Sequence, residues 1–440
     1  MTHRAILGVL AAMLLCSAEP VQAADSVALS RPVMRDFVGL NTHTVQFKTD
    51  LYKPVCRLLR NYHPAEWDLG KETAVPPPFP EAKNKVDWSS LYGSWAKAGF
   101  ETHATIMLAS INPDGWRNRD RDIETYARGL AQCFGPSGVW PLLASVEADN
   151  EPHSYTPEQY REMFQAMARG LRAGDPKLKI ATCAVRVKKP DKYNKPVECV
   201  KGLEALYDIL NIHTYAFLET WPAWRRTFPE NAGTTFLSDV SDMIGWRNAN
   251  APGKEIWVTE FGFDASTQPN PTEGPAKGFI QATDEEQARW IVRSFLVFAS
   301  MDVGRAYLYW FNDEDKASLH AASGITRRYQ PKASYHAMSQ LYGVLGEYRF
   351  GRAIVQEAGR CYAFEFTHGT DAARRIIVVW SPTGSKRLAR VSLPVGGKVE
   401  RAVGMQTTAA EAAGAAFEQT EASSVSLEIS ESPVYVYLAK

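Results

Sequence analysis

Short apolar runs alternate with helix-type patterns along most of the chain. Each run is a near-continuous stretch of apolar residues of strand length, and the segments between the runs repeat apolar residues every three or four positions. The runs predict strands at 37–43, 56–63, 102–108, 142–151, 179–185, 209–215, 255–261 and 305–311. The helix-type patterns predict helices at 86–98, 122–134, 156–175, 197–207, 236–247, 284–301 and 332–348.

Strands that are apolar throughout and separated by helices are typical of a parallel sheet covered by helices. Eight such strands favour an α/β fold of the closed (β/α)8 barrel type over an open doubly wound sheet. No glycine-rich phosphate loop follows any of these runs, which weakens a nucleotide-binding interpretation. The proline-rich segment 76–80 is predicted to be an insertion without regular structure.

The pattern changes near Gly351 to alternating apolar and polar residues separated by turn residues. Segments 361–366, 375–380 and 434–438 predict antiparallel strands, and we expect a small C-terminal β-sandwich. The alanine-rich segment 407–416 is interpreted as a loop or a short helix. The predicted division is therefore a removed signal peptide at 1–23, a barrel at 24–350 and a β-sandwich domain at 351–440.

The beginning of the chain predicts export. Arg4, an apolar run at 5–15 and small residues up to Ala23 are typical of a secretory signal peptide. No later run is long and apolar enough to span a bilayer. We expect a secreted or periplasmic protein, and the oligomeric state is not predicted.

Charge and cysteine content give no indication of nucleic acid or zinc as a partner. The 49 Lys and Arg residues balance the 49 Asp and Glu residues, so net charge gives no indication of nucleic acid as a partner. The cysteines beyond the signal peptide are widely scattered and resemble no zinc site: Cys56, Cys133, Cys183, Cys199 and Cys361. Cys183 and Cys199 could pair, although two buried thiols are the favoured interpretation. No metal and no cofactor is predicted.

Two glutamates follow apolar runs in the same way. Glu151 follows the run 143–146, and Glu260 lies near the end of the run 255–261. Burial beside an apolar core can raise the pKa of a carboxyl group, which suits a general acid. Each motif alone is weak, since a glutamate at a strand end is more often solvated or ion-paired. Two glutamates at strand ends of one barrel are what glycoside hydrolysis by paired carboxylates requires.

Other polar residues end the predicted strands, and the active site of a (β/α)8 barrel lies at the carboxyl ends of its strands. The candidates for substrate contact are Arg60 and His63 after strand two, Asn150 after strand four, His213 and Tyr215 after strand six, and Trp310 after strand eight. Arg60 could instead form a surface ion pair with Asp68 or Glu66, and His63 could be a hydrogen-bonded core residue. Glu147, inside strand four, is interpreted as a buried ion-pair partner.

With these residues in place, the sequence resembles the retaining glycoside hydrolases of the clan A (β/α)8-barrel type. The resemblance is closest to glycoside hydrolase family 39 and its neighbours, with the family 5 pattern next. It implies that Glu151 is the acid/base and Glu260 the nucleophile. It also implies that Asn150 binds the sugar 2-hydroxyl, that Tyr215 and Arg60 contact the nucleophile, and that Trp310 is the platform under the sugar. Asp149 departs from the pattern, because these families more often have Trp, Gly or a small residue there.

The expected function is hydrolysis of O-glycosidic bonds in an oligo- or polysaccharide with retention of configuration. A non-catalytic carbohydrate-binding barrel is the alternative, and the presence of both carboxylates argues against it. A metal-dependent amidohydrolase would need His-x-His and further ligands at strand ends, and the sequence has no His-x-His. The identity of the sugar and the choice between internal and terminal cleavage stay open.

Overall fold

Eight parallel strands close into a barrel in the computed structural model, which describes residues 31–43, 46–220, 223–421 and 423–439. The signal-peptide prediction at 1–23 lies outside these residues. The strands are β1 Val38–Thr42, β2 Leu58–Pro64, β3 Glu101–Met107, β4 Leu143–Ala148, β5 Lys179–Arg186, β6 Ile209–His213, β7 Glu255–Phe261 and β8 Arg305–Leu308. Each strand pairs with its neighbours in chain order, and β8 pairs with β1. The predicted (β/α)8 barrel is confirmed.

Helices cover the outside of the barrel. The longer ones are α1 Trp88–Lys97, α2 Arg119–Phe134, α3 Pro157–Gly174, α4 Phe236–Asn250, α5 Asp284–Ser300 and α6 Ala333–Leu345. Two short helices, Thr49–Tyr52 and Ala65–Leu69, lie in the loops next to β2. The predicted start of α3 is confirmed, because Thr156 and Gln159 form a capping box there.

The predicted helix at 197–207 is wrong. The structure has a single 3-10 turn, Val197–Val200, between β5 and β6. Gly202 follows with a φ of 79°, a left-handed conformation that ends helical structure. Too few residues remain before β6 for another helix, so turns make this connection.

The interior of the barrel begins with an apolar layer at the amino-terminal side of the strands. Leu58, Ala181, Ile209, Trp257 and Tyr307 form one cluster there, from five different strands. Gly39 on β1 faces the ring of Tyr307, and a Cβ at this glycine would lie 2.3 Å from that ring. Because side chains alternate along a strand, the next inward-facing residue on each strand lies two positions closer to its carboxyl end. There, polar residues replace the apolar ones.

Two antiparallel sheets follow the barrel. Five strands form one sheet and three form the other: Tyr348–Glu357, Cys361–His368, Arg375–Trp380, Val434–Leu438 and Val399–Gly404, then Ala389–Pro394, Ser424–Ile429 and Phe417–Glu421. The predicted change to antiparallel structure is confirmed. That the two sheets form a sandwich stays a prediction, which their shared cluster of buried side chains supports. The alanine-rich segment 407–416 has no helix.

Short strands add to the loops at the carboxyl ends of the barrel strands. Phe217–Thr220, Ala223–Arg226 and Phe279–Ile280 form one small sheet, and Asn312–Asp313, Thr326–Arg327 and Gln330–Pro331 form another. Lys195–Pro196 pairs with the end of β5. The five cysteines within the described residues are buried free thiols, so the pairing of Cys183 with Cys199 is not observed. None of the helices in the described ranges has the length and apolar character needed to cross a membrane.

Candidate active site

A cavity of about 510 Å3 opens at the carboxyl ends of the barrel strands. Its lining is mostly aromatic, with two carboxylates and one amide among the aromatic rings. The lining residues are His43, Tyr62, Pro64, Trp67, Met107, Asn150, Glu151, Tyr215, Glu260, Tyr309 and His320. This is the position at which (β/α)8 barrels carry their active sites.

The two candidate catalytic glutamates face each other across this cavity. Glu151 lies just after β4, and Glu260 lies near the end of β7. Glu151, His213 and Glu260 each present one ligand-type atom, and these three atoms lie within 4.8 Å of one another. The side chain of Glu151 is 25% exposed, whereas that of Glu260 is 7% exposed. One carboxylate is therefore open to the cavity and the other is largely enclosed by protein.

A bulge in β7 directs Glu260 into the cavity. Val258 is paired with Ile212 and Glu260 with His213, so β7 has one more residue, Thr259, than its neighbour over this step. A bulge changes the direction of the side chain that follows it. Thr259 and Glu260 can thus both point inward, which strict alternation along a strand would not allow.

Glu260 is held as a carboxylate by several donors. Arg60 Nη1 donates to Oε1 at 2.9 Å, the Tyr62 hydroxyl donates to the same oxygen at 2.7 Å, and the Tyr215 hydroxyl donates to Oε2 at 3.0 Å. Burial favours the neutral acid, but the nearby charges of His213 and Arg60 and the hydrogen bond from Tyr62 outweigh it. The pKa of Glu260 is consequently lowered from its ordinary value.

Arg60 joins Glu260 to a second, deeper carboxylate. Its Nε and Nη2 donate to both oxygens of Glu147 at 2.8 Å, and Nη2 also donates to Asn150 Oδ1 at 2.8 Å. Arg60 and Glu147 are both fully buried. Burial raises the pKa of Glu147, yet Arg60 and His103 bring it down to about 2. The interpretation of Glu147 as a buried ion-pair partner is confirmed, and a surface position for Arg60 is wrong.

His213 contacts both candidate catalytic glutamates. Its Nδ1 is 2.9 Å from Glu151 Oε1 and 3.5 Å from Glu260 Oε2, and its Nε2 is 3.1 Å from Thr259 Oγ1. Burial by itself would lower the pKa of this imidazole. The charge of Glu260 and the hydrogen bond with Glu151 outweigh burial, so the pKa of His213 is raised. A proton on His213 stabilises the negative charge of Glu260.

Asn150 and Asp149 shape the turn between β4 and Glu151. Asn150 accepts from Arg60 through Oδ1, which leaves its amide N–H2 group for the cavity that it lines. Asp149 adopts a φ of 77°, and its carboxylate accepts from the backbone N–H of Ala109 at 2.6 Å and of Asn150 at 2.8 Å. Burial raises the pKa of Asp149 to about 7. The residue that departs from the family pattern therefore ties the end of β4 to the loop after β3.

Four of the residues predicted from the sequence are not among those that line this cavity: Arg60, His63, His213 and Trp310. Arg60 and His213 contact the glutamates directly, as described above, whereas His63 and Trp310 have other contacts. His63 is fully buried, hydrogen-bonds Tyr92 and Asp68 through its two ring nitrogens, and stacks on Trp88 with 3.6 Å between ring centroids. Trp310 packs edge-on against His43 and stacks on Tyr309. These contacts explain His63 within the protein. Trp310 packs on two residues that line the cavity, and its buried Nε1 has no hydrogen-bond partner among the described residues, so its role as a platform stays a prediction.

Tyr62 and Tyr309 also line the cavity, and neither residue was predicted from the sequence. The missing signal was the alternation of side chains along a strand. Arg60 faces inward, so Tyr62, two residues later, faces the same way. Tyr307 faces inward in the apolar layer, and Tyr309 follows it by the same rule.

Two imidazoles complete the wall. His43 follows β1, and burial lowers its pKa to about 4. His320 lies in the loop after β8, with Nδ1 at 3.3 Å from Arg226 Nη2. Burial and the charge of Arg226 lower the pKa of His320 to about 4. Both rings are therefore neutral near pH 7 and suited to hydrogen bonds with neutral polar groups.

A second cavity, of about 710 Å3, adjoins the first. The two cavities share Glu151, Tyr215 and His320, while Glu260 lines the first alone. The second cavity extends over the ends of β5 and β6 and the small sheet that follows β6. The two cavities therefore meet at Glu151, Tyr215 and His320.

Among the described residues, one group of His, Cys, Asp or Glu side chains is close enough to share a metal ion, and it is Glu151, His213 and Glu260. Both oxygens of Glu260 already accept hydrogen bonds from Arg60, Tyr62 and Tyr215. A divalent cation bound there would lie beside the guanidinium of Arg60 and be repelled by it. The arrangement is better suited to proton transfer and nucleophilic attack than to metal binding.

The sequence itself matches no family model and no curated protein. The structure is similar to a family 39 glycoside hydrolase from Bacteroides cellulosilyticus, with 15% identity over 91% of this chain and 80% of that one and a TM-score of 0.68. It is also similar to a glucosidase from Croceicoccus marinus, with 14% identity over 93% and 96% of the two chains and a TM-score of 0.62. A family 30 endoxylanase from Clostridium papyrosolvens follows, with 13% identity over 92% and 96% and a TM-score of 0.59. The chain therefore has the fold of these glycoside hydrolases.

Proposed function

We propose that the protein is a retaining glycoside hydrolase that uses Glu260 as nucleophile and Glu151 as acid/base. The observation that carries the proposal is the approach of the two carboxylates to within 4.8 Å in one cavity. Retaining enzymes separate their carboxyl groups by about 5–5.5 Å, whereas inverting enzymes need roughly 6.5–9.5 Å to admit a water molecule. The spacing favours direct attack by one carboxylate on the sugar.

The surroundings of Glu260 suit a nucleophile. Arg60, Tyr62 and Tyr215 donate to its oxygens and keep it ionised. In the first step Glu260 attacks the anomeric carbon, the bond to the leaving oxygen breaks, and Glu151 gives its proton to that oxygen. The result is a glycosyl ester on Glu260 and a free alcohol.

The position of Glu151 suits the opposite role. Its side chain is open to the cavity, where it can reach both the leaving oxygen and an incoming water molecule. In the second step Glu151 removes a proton from water, the hydroxyl oxygen attacks the anomeric carbon, and Glu260 is released. The amide N–H2 group of Asn150 is placed to donate to a hydroxyl of the reacting sugar, and such a bond can strengthen as charge develops.

The substrate proposed is an oligo- or polysaccharide. The similar structures include an endoxylanase and a glucosidase, and the aromatic lining of the cavity suits the apolar faces of sugar rings. We also propose that the protein is exported, on the basis of the signal-type sequence at 1–23. A non-catalytic binding barrel would have no need of an ionised, donor-enclosed Glu260 beside Glu151.

Two alanine variants test the assignment on a panel of 4-nitrophenyl glycosides and natural oligosaccharides. We expect Glu260→Ala to lose activity by more than about 10⁴-fold on every substrate, with azide restoring turnover to an inverted glycosyl azide. Glu151→Ala should lose roughly 10²–10⁴-fold on oligosaccharides and much less on 4-nitrophenyl glycosides, whose leaving group needs no proton. Azide should then give a product of retained configuration.

Glu158→Ala is the matched control, since Glu158 is exposed in the first turn of α3. It should leave activity on both substrate types unchanged. Equal losses of Glu151→Ala on oligosaccharides and on 4-nitrophenyl glycosides would show that Glu151 is not the acid/base.

A further inference from the structure

We propose that the second cavity binds the leaving-group side of a neutral glycan chain, over at least two sugar units, with Tyr193 as the aromatic platform. This inference rests on the proposed function of Glu151 and Glu260. It assigns a direction to the site, a chemical class to the part of the substrate that leaves, and a specificity-determining residue outside the catalytic group.

The orientation of the glycan chain in the two cavities follows from which carboxylate lines which cavity. Glu260 attacks the anomeric carbon, so the sugar that becomes attached to the enzyme occupies the first cavity, which Glu260 lines. Glu151 protonates the oxygen of the leaving group and lines both cavities. The leaving part of the chain therefore extends from Glu151 into the second cavity, away from Glu260.

The size of the second cavity indicates more than one sugar unit. At about 710 Å3 it is larger than the first cavity. Cavities of roughly 300–1,000 Å3 hold a whole drug-sized ligand, which corresponds to more than one sugar ring. An enzyme selective for a small aryl or alkyl leaving group would have no use for this space.

Tyr193 offers an aromatic surface at the edge of the second cavity. It lines the cavity and is 42% exposed, which is unusual for a large aromatic side chain in this protein. Lys192 Nζ lies 4.7 Å from the centre of the ring and covers one face. The His153 ring lies 6.3 Å from the Tyr193 ring at an angle of 54°, so it does not stack on it, and the exposed part of the Tyr193 ring is available for stacking with the apolar face of a sugar.

The segment that carries Tyr193 is held in place by hydrogen bonds. Asp191 Oδ1 accepts from the backbone N–H of Tyr193 at 2.8 Å and of Asn194 at 2.7 Å. The backbone N–H of Asp191 donates to the carbonyl of Asn194 at 3.1 Å, and Asp191 Oδ2 is 3.5 Å from Arg186 Nη1. A platform fixed before binding loses less conformational entropy when the ligand arrives.

The charges around the second cavity favour a neutral ligand. Its two arginines are already paired, Arg186 with Asp239 at 3.2 Å and Arg226 with Asp264 at 3.0 Å. Glu151 and the exposed Glu219 add negative charge to the lining. A uronic acid or sulfate group would be repelled by these carboxylates, and both lining arginines already have carboxylate partners, whereas hydroxyl groups can bond to either sign of charge.

The test uses the sugar identified with 4-nitrophenyl glycosides and reducing-end-labelled neutral di-, tri- and tetrasaccharides of that sugar. From the tri- and tetrasaccharides we expect labelled products of two or more units, and we expect a kcat/KM about tenfold higher for the trisaccharide than for the disaccharide. In Tyr193→Ala this increase should disappear, so that the ratio of kcat/KM on the trisaccharide to that on the 4-nitrophenyl glycoside falls about tenfold. Tyr193→Phe should restore the ratio, because it keeps the ring.

Trp140→Ala is the matched control. Trp140 is 46% exposed and precedes β4, on the opposite face of the barrel, so its removal should leave the ratio unchanged. Two results would overturn the inference while the proposed function stands. One is labelled monosaccharide as the sole product from the tri- and tetrasaccharides, and the other is an equal loss in Tyr193→Ala on the trisaccharide and on the 4-nitrophenyl glycoside. A higher kcat/KM for a chain with a uronic acid on the leaving side would overturn the neutral class. Absence of hydrolysis of every glycoside by the wild type would overturn the proposed function itself.

Discussion

The single positive charge of Arg60 forms ion pairs with two carboxylates. Its guanidinium lies between Glu147 and Glu260, and all three side chains are buried. The pKa of Glu147 falls to about 2 and that of Glu260 also falls, since both gain from the same cation. His213, whose pKa is raised, supplies a second proton-bearing group beside Glu260. The ionisation of Glu260, the proposed nucleophile, therefore depends on two residues that are not among those lining the first cavity.

Replacing Arg60 by Met should move the acid limb of the pH profile upward. Arg60 lowers the pKa of Glu260, so without it Glu260 ionises at a higher pH and activity is lost at a higher pH on acidification. A neighbouring arginine lowers a carboxyl pKa by roughly 1–3 units, which is the shift expected in the acid limb of kcat/KM. The basic limb should move less, because Arg60 bonds Glu260 and not Glu151.

Arg57→Met provides the comparison, because Arg57 precedes β2 at its other end and pairs with Asp36 near the surface. Its acid limb should match that of the wild type. Arg60→Lys keeps a cation and should shift the limb less than Arg60→Met. An unshifted acid limb and a normal rate in Arg60→Met would remove Arg60 from the site.

Chelation should leave activity unchanged, to within about twofold, after prolonged incubation with EDTA. The reason is the positive charge of Arg60, which lies 2.9 Å from Glu260 and would repel a divalent ion bound between Glu260, His213 and Glu151. Rates before and after EDTA, and after addition of Zn²⁺ or Ca²⁺, measure this. Loss of activity that a metal restores would instead assign Glu151, His213 and Glu260 to a metal site.

At the scale of elements, the loops after β7 and β8 are held together by buried charges. Asp315 accepts hydrogen bonds from Ser266, Thr267 and Gln268 of the other loop and is 3.0 Å from Arg327. His320, which borders both cavities, lies in the second of these loops. The position of a substrate-facing side chain thus depends on bonds some residues away from it.

Asp315→Ala should loosen this connection and reduce kcat/KM by roughly 10- to 100-fold, mainly through KM. Four donor groups on three residues lose their acceptor at once, and Arg327 loses one of its two carboxylate partners, so both loops gain freedom to move. Hydrogen exchange of the segments 264–268 and 316–323 should become faster, whereas exchange in the barrel strands should not. Asp114→Ala, an exposed carboxylate in the loop after β3, should change neither quantity.

The strands could be predicted from the sequence because each is buried on both sides and therefore nearly continuous in apolar residues. Since the carboxyl ends of parallel barrel strands converge on one rim, the strand assignment alone predicts that Arg60, Asn150, Tyr215 and the two glutamates lie close together. His320 could not be found this way, since it lies on a long loop with no strand to fix its direction. The failed helix at 197–207 has a similar cause, because apolar spacing over a short segment does not reveal a turn at Gly202.

At the scale of the whole molecule, the three central strands of the five-stranded sheet are buried on both faces. Phe364, Phe366 and Trp380 belong to the same core cluster as the barrel residues. Cys361 and Ala363, on the alternate positions, belong to the cluster shared with the three-stranded sheet. The sheet therefore lies between the barrel and the last sheet, in contact with both.

One buried ion pair strengthens the contact with the barrel. Arg293 of α5 donates to Glu230 through Nε at 3.0 Å and to the carbonyl of Thr383 at 3.0 Å. Trp380 Nε1 also donates to Glu230, at 2.7 Å. Side chains from the barrel and from the sheet region thus share one carboxylate that water does not reach.

Glu230→Gln should destabilise the protein by roughly 3–5 kcal/mol, because it leaves the charge of Arg293 buried without its partner. Calorimetry should show a single transition for the wild type, at a temperature that falls in the variant. Glu428→Gln, at an exposed position of the three-stranded sheet, should leave that temperature unchanged. Two separate transitions in the wild type would mean that barrel and sheets fold as independent domains.

The shared core has a consequence for how such a gene can change. A recombination event that exchanged the coding region after residue 350 would remove Phe364, Phe366 and Trp380 from the core that they share with the barrel. Glu230 and Arg293 would then face an unrelated surface. The barrel and the sheets would then both expose apolar side chains that each now covers on the other.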